Sequence, residues 1–103
     1  MQFYNNPSCD LDGDGFGASF AQWSGDVTAL SNETRVFVGA GAFSAAGGGY
    51  VPGDAFGARV ALVGNGSEGN MGGVMLWAGS EGLGNVDGSG RDYLQYAKSA
   101  LVV

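Results

Sequence analysis

A run of alternating carboxylates near the start of the chain has side chains that could bind a cation. The run is DLDGDG, residues 10–15. Its three aspartates and final glycine match the first, third, fifth and sixth positions of an EF-hand calcium loop. The twelfth position of such a loop supplies a bidentate Glu, and here it is Ala21. The run is therefore predicted to be a loop that caps the following helix, with Asp10, Asp12 and Asp14 as candidate cation ligands without a closing one.

The same carboxylates could instead serve in acid catalysis. Neighbouring carboxylates repel one another, which can raise the pKa of one of them towards that of a general acid. The run is rich in glycine, however, and no Glu follows it, because the next residue is Phe16. Histidine is absent from the chain, which excludes Ser-His-Asp and Cys-His catalysis and most zinc sites. A positioned acid is not predicted.

Two aromatic residues at the ends of predicted strands are candidates for a binding site. Tyr4 ends the first predicted strand and Trp77 ends the third. An indole can stack on the apolar face of a sugar, and a phenol can hydrogen-bond a substrate group. The alternative, that both side chains fill the core, is favoured when the spacing alone is considered.

The periodicity of the apolar residues predicts alternating strands and helices. Residues 16–30 place Phe16, Phe20, Trp23, Val27 and Leu30 three and four positions apart, which predicts an amphipathic helix with these side chains on its apolar face. Residues 36–41 begin with a β-branched and aromatic run, which suits a strand buried on both faces. The predicted strands are residues 2–5, 36–41 and 73–77, and the predicted helices are residues 16–30, 54–63 and 90–101.

This order of elements predicts an α/β fold with parallel strands and right-handed crossovers. The chain has 103 residues, whereas a complete eight-unit barrel needs about 250. Three parallel strands alone leave two open edges and little helix cover, which favours a piece of something larger over a small isolated domain. In a barrel, the loops that follow strands line the active face, here residues 6–15, 42–53 and 78–89.

The composition excludes several kinds of partner. Ten acidic and four basic residues give a formal charge of −6, which repels phosphate backbones, so nucleic-acid binding is not expected. No apolar run is long enough to cross a bilayer, and no membrane partner is expected. Residues 1–5 lack the basic start and the long apolar stretch of a signal peptide.

Two short features bear on the compartment. Cys9 is the single cysteine, so it is a reactive thiol, an intermolecular bridge, or half of a disulfide whose partner is missing. Asn32-Glu33-Thr34 and Asn65-Gly66-Ser67 match the glycosylation acceptor pattern and fall in predicted loops, which favours a secretory route. Two chance matches to this short pattern are the alternative.

Three motifs resemble those of a known family. They are QFYNNPSC at residues 2–9, GGGYVP at residues 47–52 and MGGVMLW at residues 71–77. Their order and spacing are similar to those in the final third of secreted class III chitinases, the hevamine-like members of glycoside hydrolase family 18. The resemblance covers nearly the whole chain, so it implies that residues 1–103 are a partial catalytic domain of that family.

The resemblance implies a (β/α)8 barrel, of which this chain is strands six to eight with their helices. Such chitinases cleave β-1,4-linked N-acetylglucosamine polymers with retention, and the N-acetyl oxygen of the substrate is the nucleophile. Tyr4 would be the catalytic residue that hydrogen-bonds the acetamido group. Gln2 and Asn5 would line the cleft. Trp77 would form the floor under the sugar, with a cis peptide bond to Ala78. No cofactor is implied.

The chain departs from the family pattern in ways that affect the expected activity. The family's acid is the Glu of an Asp-x-x-Asp-x-Asp-x-Glu segment, which is not in this sequence. The chain alone is therefore expected to be inactive, with chitin or chitooligosaccharide as its ligand. The family's disulfide partner of Cys9 would lie upstream. The alternatives are a non-catalytic carbohydrate-binding protein and a self-associating fragment. An extracellular location is expected, with the remainder of the barrel or a second copy as protein partner.

Overall fold

The computed structural model describes residues 1–31, 33–64 and 70–101. The two glycosylation candidates, Asn32 and Asn65, lie outside these described ranges. Among the described residues, no helix has both the length and the hydropathy that a membrane crossing requires.

The described residues form two strands and four α-helices, with one helix before the first strand, one between the strands and two after the second strand. The elements are α1 (Phe16–Leu30), β1 (Val36–Gly41), α2 (Gly53–Gly64), β2 (Met71–Trp77), α3 (Gly79–Gly84) and α4 (Tyr93–Leu101). Helix α1 has the bounds that its apolar spacing predicts, and β1 covers residues 36–41 as predicted.

Strands β1 and β2 pair in parallel. Val38 lies opposite Val74, and the last residues of the two strands, Gly41 and Trp77, lie opposite each other. Helix α2 lies between the two strands in sequence and provides the crossover that a parallel pair needs. The prediction of an α/β fold with parallel strands is confirmed at this level.

The segment predicted as a first strand, residues 2–5, is only a single bridge. Gln2 pairs in parallel with Gly39. The amide of Phe3 donates to the Gly39 carbonyl at 2.8 Å, and the amide of Gly39 donates to the Met1 carbonyl at 2.6 Å. Asn5 has a φ of 59°, so the backbone leaves the extended conformation directly after Tyr4. The predicted strand is therefore wrong in extent, although its start lies beside β1 in the expected direction.

The core lies on one face of the parallel strands. Phe3 and Phe16 meet edge to face with ring centres 5.0 Å apart, and Phe56 meets Tyr93 in the same way at 5.4 Å. Val38 lies between them in sequence and is fully buried. Edge-to-face pairs add specific stabilisation to the burial of apolar area. Aromatic contacts therefore join the bridge segment to α1, and α2 to α4.

Helix α1 buries a less regular face than its spacing predicts. Phe16 and Phe20 are buried, but Trp23 is 44% exposed and Leu30 is 88% exposed. The buried residue in the second half of the helix is the polar Ser24. Ser24 is tolerated there because its hydroxyl donates to the side-chain oxygen of the buried Asn70 at 2.5 Å.

The other face of the strands is open and apolar. Phe37, Met75 and Trp77 are 48%, 40% and 58% exposed, respectively. The register places each of them beside a glycine of the neighbouring strand, namely Gly73, Gly39 and Gly41. Parallel sheets normally have both faces covered, so this face is incomplete as it stands.

The last helix begins later than predicted, at Tyr93 instead of residue 90. The amide of Gln95 donates to the Asp92 carboxylate at 2.9 Å, and the amide of Asp92 donates to the Gln95 side chain at 2.9 Å. This reciprocal pairing is a capping box, and it fixes the start of α4. Helix α2 begins at Gly53, one residue before the predicted range, and α3 was not predicted.

A turn before α4 is organised by the Asp87 carboxylate. This carboxylate accepts hydrogen bonds from the Ser89 amide at 2.9 Å, from the Ser89 hydroxyl at 2.6 Å and from the Tyr96 hydroxyl. The bond from the Ser89 hydroxyl and then the bond from Tyr96 hold the pKa of Asp87 well below its ordinary value of 3.8. Arg91 stacks over the Tyr96 ring, 4.2 Å from its centre.

Acid is expected to weaken this turn. Because the pKa of Asp87 is lower in the folded chain than in the unfolded one, its contribution to stability is complete above the ordinary value and declines as the pH falls below it. Asp87→Asn should therefore flatten the acid side of the melting temperature profile below about pH 4. Asp26→Asn, an exposed site on α1, makes the same charge change and is the control. Equal profiles for the two variants would contradict the prediction.

Candidate functional site

The carboxyl ends of the parallel segments meet at one edge of the sheet, which we call the rim. Gln2 lies opposite Gly39, so Tyr4, two residues further on, is level with Gly41. Gly41 lies opposite Trp77. Tyr4 and Trp77 therefore lie at the same edge of the sheet, on either side of β1.

Tyr4 is held at the rim through its backbone. Its carbonyl accepts hydrogen bonds from the Gln2 side-chain amide at 2.9 Å and from the Asn6 side-chain amide at 3.1 Å. The Tyr4 side chain is buried, with 8% of its area exposed. Within the described ranges its hydroxyl has no hydrogen-bonding partner. A buried phenol normally finds a partner, so this hydroxyl is available to a ligand.

Asn5 joins the rim to the loop that follows β1. Its backbone amide donates to the Gly48 carbonyl at 2.9 Å, and its side-chain oxygen accepts from the Gly48 amide at 2.7 Å. The side-chain oxygen is thus committed to the loop. Gln2 is exposed, and its amide nitrogen is committed to the Tyr4 carbonyl. Both predicted cleft residues therefore support the shape of the rim through contacts that the sequence pattern does not reveal.

Trp77 is the most exposed aromatic residue of the rim. Its side chain is 58% exposed on the open face of the sheet. Its carbonyl accepts a hydrogen bond from the Ala42 amide at 2.9 Å. The peptide bond from Trp77 to Ala78 is cis, as the family resemblance implies. The spacing alone favours core packing for both aromatic residues. This expectation is wrong for Trp77, which is exposed, and agrees with the burial of Tyr4.

The DLDGDG run is a turn whose first carboxylate has a structural role. Asp10 is 5% exposed, and its carboxylate accepts from the Asn6 amide at 2.7 Å. A Cβ atom at Gly49 would lie 2.5 Å from this carboxylate, so the loop after β1 packs closely on it. Asp12 and Asp14 are exposed. In the part of the chain that the structure describes, no three metal-ligating side chains come together, so these aspartates do not form a ligand group.

Arg59 on α2 holds the DLDGDG turn against the body of the domain. Its Nε donates to the Leu11 carbonyl at 2.6 Å, and one terminal nitrogen donates to the Gly13 carbonyl at 2.9 Å. The guanidinium also lies 5.8 Å from the centre of the Phe16 ring. A planar donor group can satisfy two turn carbonyls at once, which a lysine could not do in the same way.

Cys9 is a half-buried free thiol. It lines a surface cavity of about 230 Å³ between the start of the chain and α1, together with Phe3, Ser19 and Trp23. The cavity lies at the edge of the bridge segment that does not pair with β1. The thiol makes no disulfide within the described residues, and its predicted external partner stays a prediction.

Sequence reasoning missed a second cluster at the rim. The Asn85 amide nitrogen donates to the Ala42 carbonyl and to the Tyr50 hydroxyl, each at 2.9 Å. The Tyr50 ring packs on Tyr93 at 5.8 Å, and the Tyr93 hydroxyl donates to the Val51 carbonyl at 2.7 Å. Burial raises the pKa of Tyr93, which keeps it a neutral donor. The sequence signal for this cluster was Tyr50, an aromatic residue that directly follows three glycines.

The fold and the rim together define an α/β protein that presents an exposed indole and an unpaired phenol at the carboxyl ends of parallel strands. Comparison with known proteins indicates a chitinase-related chain. It is 41% identical over 81 residues to the acidic endochitinase SE2 of Beta vulgaris, a match that covers 76% of this chain. The same match covers 26% of that relative, so the chain spans about a quarter of its length. No family model matches the chain.

Proposed function

We propose that this chain is the C-terminal part of a class III chitinase of glycoside hydrolase family 18. In this proposal residues 1–103 are the last three βα units of a (β/α)8 barrel. The parallel order of the bridge segment, β1 and β2 supports it, because neighbouring strands of such a barrel are consecutive and parallel. The similarity to the acidic endochitinase also supports it.

The observation that carries the proposal is the placement of Tyr4 and Trp77 at one edge of the sheet. A sugar ring that stacks on the indole of Trp77 would extend across the end of β1 towards Tyr4. The rim thus offers one apolar surface and one donor, the combination that binds an N-acetylated sugar.

The proposed reaction is hydrolysis with retention in the complete enzyme. The acetamido oxygen of the substrate attacks the anomeric carbon as the glycosidic bond breaks, and the leaving sugar takes a proton from an acidic residue. Water then attacks the same carbon and reopens the ring, which returns the acetamido group and retains the configuration. The Tyr4 hydroxyl donates to the acetamido group and orients it for this ring closure. The role of Trp77 is to hold the sugar from below, and Asn5 and Gln2 keep the rim in shape.

The chain alone should bind without cleaving, because its sequence has no Asp-x-x-Asp-x-Asp-x-Glu segment. The test is incubation of the purified chain with chitotetraose, with the products separated by chromatography and the binding followed by NMR. Shifts at the Trp77 indole without product would support the proposal. Cleavage by the chain would contradict the assignment of the acid to a segment outside it.

A second candidate is a non-catalytic chitin-binding protein. The exposed indole of Trp77 favours it, since binding needs only that platform and a donor. The two candidate functions can be separated with a chimera in which this chain replaces the matching quarter of the acidic endochitinase, because they predict different activities for it. The chimera should regain chitinase activity if the rim is catalytic. Binding without activity would favour the second candidate.

An extracellular location is part of the proposal, as is a disulfide from Cys9 to a segment outside this sequence. The half-buried thiol beside the cavity at the edge of the bridge segment is in a place where such a segment would pack. Mass spectrometry of the natural secreted protein would test both points, because it would detect a disulfide at Cys9 and glycans at Asn32 and Asn65. Reduced Cys9 and unmodified asparagines would contradict them.

The isolated chain is expected to self-associate through the open face of its sheet. Phe37, Met75 and Trp77 expose apolar area there, and the outer edge of β2 has no partner strand among the described residues. Sedimentation at micromolar concentration should show dimers or larger species, and Phe37→Ser should shift the distribution towards monomer. Leu62→Ser removes a similarly exposed apolar side chain from α2 and is the control. A monomeric chain with a cooperative melt would contradict this prediction.

A further inference from the structure

The segment from Trp77 to Asn85 closes on a single residue of the neighbouring loop, Ala42. The Ala42 amide donates to the Trp77 carbonyl at 2.9 Å. The Ala42 carbonyl accepts from the Asn85 side chain, also at 2.9 Å. The two ends of the nine-residue segment therefore hold the two polar groups of one buried residue. Helix α3, within the segment, places Gly82 over it, where a Cβ atom would lie 3.2 Å from the Ala42 Cβ.

The Asn85 side chain is suited to this closure because one nitrogen carries two donors. One hydrogen goes to the Ala42 carbonyl and the other to the Tyr50 hydroxyl. The ring of Tyr50 is in turn fixed against Tyr93. A carboxylate at this position would offer no donor, and its oxygens would repel the Ala42 carbonyl oxygen. An aliphatic side chain would leave both acceptors without this partner.

Trp77 needs such support because it ends an edge strand. Beyond Trp77 the chain turns into α3, and only β1 pairs with β2 in the described residues. Its exposed indole lacks the packing that would hold a core side chain. The bonds to Ala42 therefore add to the pairing of Gly41 with Trp77 and tie the end of β2 to the loop after β1.

We propose that Asn85 is a positioning residue for Trp77, acting by closing the 77–85 segment on Ala42. The proposal rests on the proposed function, in which Trp77 is the surface on which the sugar stacks. Asn85 does not contact the sugar. It keeps the end of β2, and hence the indole, at a constant place relative to the loop that carries Tyr50.

The first test needs no sugar. Amide hydrogen exchange is measured in the whole chain at two amides. The Ala42 amide reports its hydrogen bond to the Trp77 carbonyl. The Val36 amide, which donates to the Asn70 carbonyl at 2.8 Å, reports the α1 side of the fold. Asn85→Asp should lower protection of Ala42 by about tenfold and leave Val36 unchanged. Tyr50→Phe removes one acceptor only and should have a smaller effect on Ala42.

Gln22→Glu, on the exposed face of α1, makes the same amide-to-acid change and should leave both amides unchanged. If Asn85→Asp does not fold, Asn85→Ser, which keeps one short donor, replaces it with the same expected direction. Unchanged protection of Ala42 would overturn the proposal, because it would show that Asn85 is not coupled to the Ala42–Trp77 bond. An equal loss of protection at Val36 would also overturn it, because it would show a general loss of stability.

The second test measures the affinity of the same variants for chitotetraose in a Trp23→Phe background, which leaves Trp77 as the single tryptophan. Asn85→Asp should weaken binding by about tenfold relative to Gln22→Glu. Equal affinities with a selective loss at Ala42 would overturn the role in sugar binding. If the parent chain binds no sugar, the proposed function fails, and the exchange result still decides whether Asn85 positions Trp77.

Discussion

Replacing Tyr4 with phenylalanine in the active chimera is expected to lower kcat for chitotetraose by about 10²-fold. The variant removes only the hydroxyl, which is the atom without a protein partner among the described residues. If that hydroxyl holds the acetamido group with its oxygen facing the anomeric carbon, its loss misaligns the attacking atom and raises the barrier to ring closure. Binding of the ground state should change much less, so KM should stay within about threefold.

The matched control for this prediction is Tyr96→Phe. Tyr96 lies on α4, and its hydroxyl donates to Asp87, so unlike that of Tyr4 it already has a protein partner. This variant should keep kcat and lose some stability. A Tyr4→Phe chimera with unchanged kcat would show that the phenol only completes the core, which is the alternative that its burial also allows.

The largest stability effect is expected for Asn70→Ala. The Asn70 side chain is 3% exposed, and its nitrogen donates to the Ser24 carbonyl at 3.2 Å and to the Thr28 hydroxyl at 3.1 Å. Its oxygen accepts from the Ser24 hydroxyl at 2.5 Å. Removing it leaves the buried Ser24 hydroxyl without that acceptor, which should lower the free energy of unfolding by about 2–4 kcal/mol.

Thermal melts should show this loss as a decrease of about 10–20 °C in melting temperature. Ser24→Ala removes the other partner, and the double variant should cost less than the sum of the single ones, because the two residues share a bond. Gln22→Ala on the exposed face of the same helix is the control. A loss for Asn70→Ala no greater than that of the control would contradict the prediction.

The buried bond between Ser24 and Asn70 also illustrates what could not be predicted from sequence. The apolar spacing of α1 predicted its bounds correctly, yet it assigned Trp23 and Leu30 to the buried face. The two polar residues are 46 positions apart, and each alone favours a surface position. Only their meeting in the tertiary structure gives the Ser24 hydroxyl a buried partner, which makes its burial possible.

The start of the chain shows a similar limit. An aromatic run before Asn-Asn-Pro was a reasonable strand signal, and its first residues do bond to β1. The left-handed Asn5 and the side-chain bonds to the Tyr4 carbonyl end the extended conformation early. Such capture of a carbonyl by nearby amides depends on side-chain orientation, which a single sequence does not reveal.

For the rim, the sequence by itself determined the types of residue and their order. The β-branched and aromatic runs require parallel strands joined by helices, and parallel strands bring their carboxyl ends, with Tyr4 and Trp77, to the same edge. The DLDGDG run was correctly predicted to be a turn, because the chain has no closing carboxylate for it.

Only the tertiary structure decided which side chains are free to meet a ligand. The side-chain oxygen of Asn5 and the carboxylate of Asp10 each accept a hydrogen bond from a backbone amide. The hydroxyl of Tyr4, by contrast, has no partner among the described residues, and the indole of Trp77 is exposed. Asn85 closes a segment on Ala42, 43 positions away. The physical reason is that hydrogen bonds and burial depend on distances across the fold, whereas a sequence pattern records only distances along the chain.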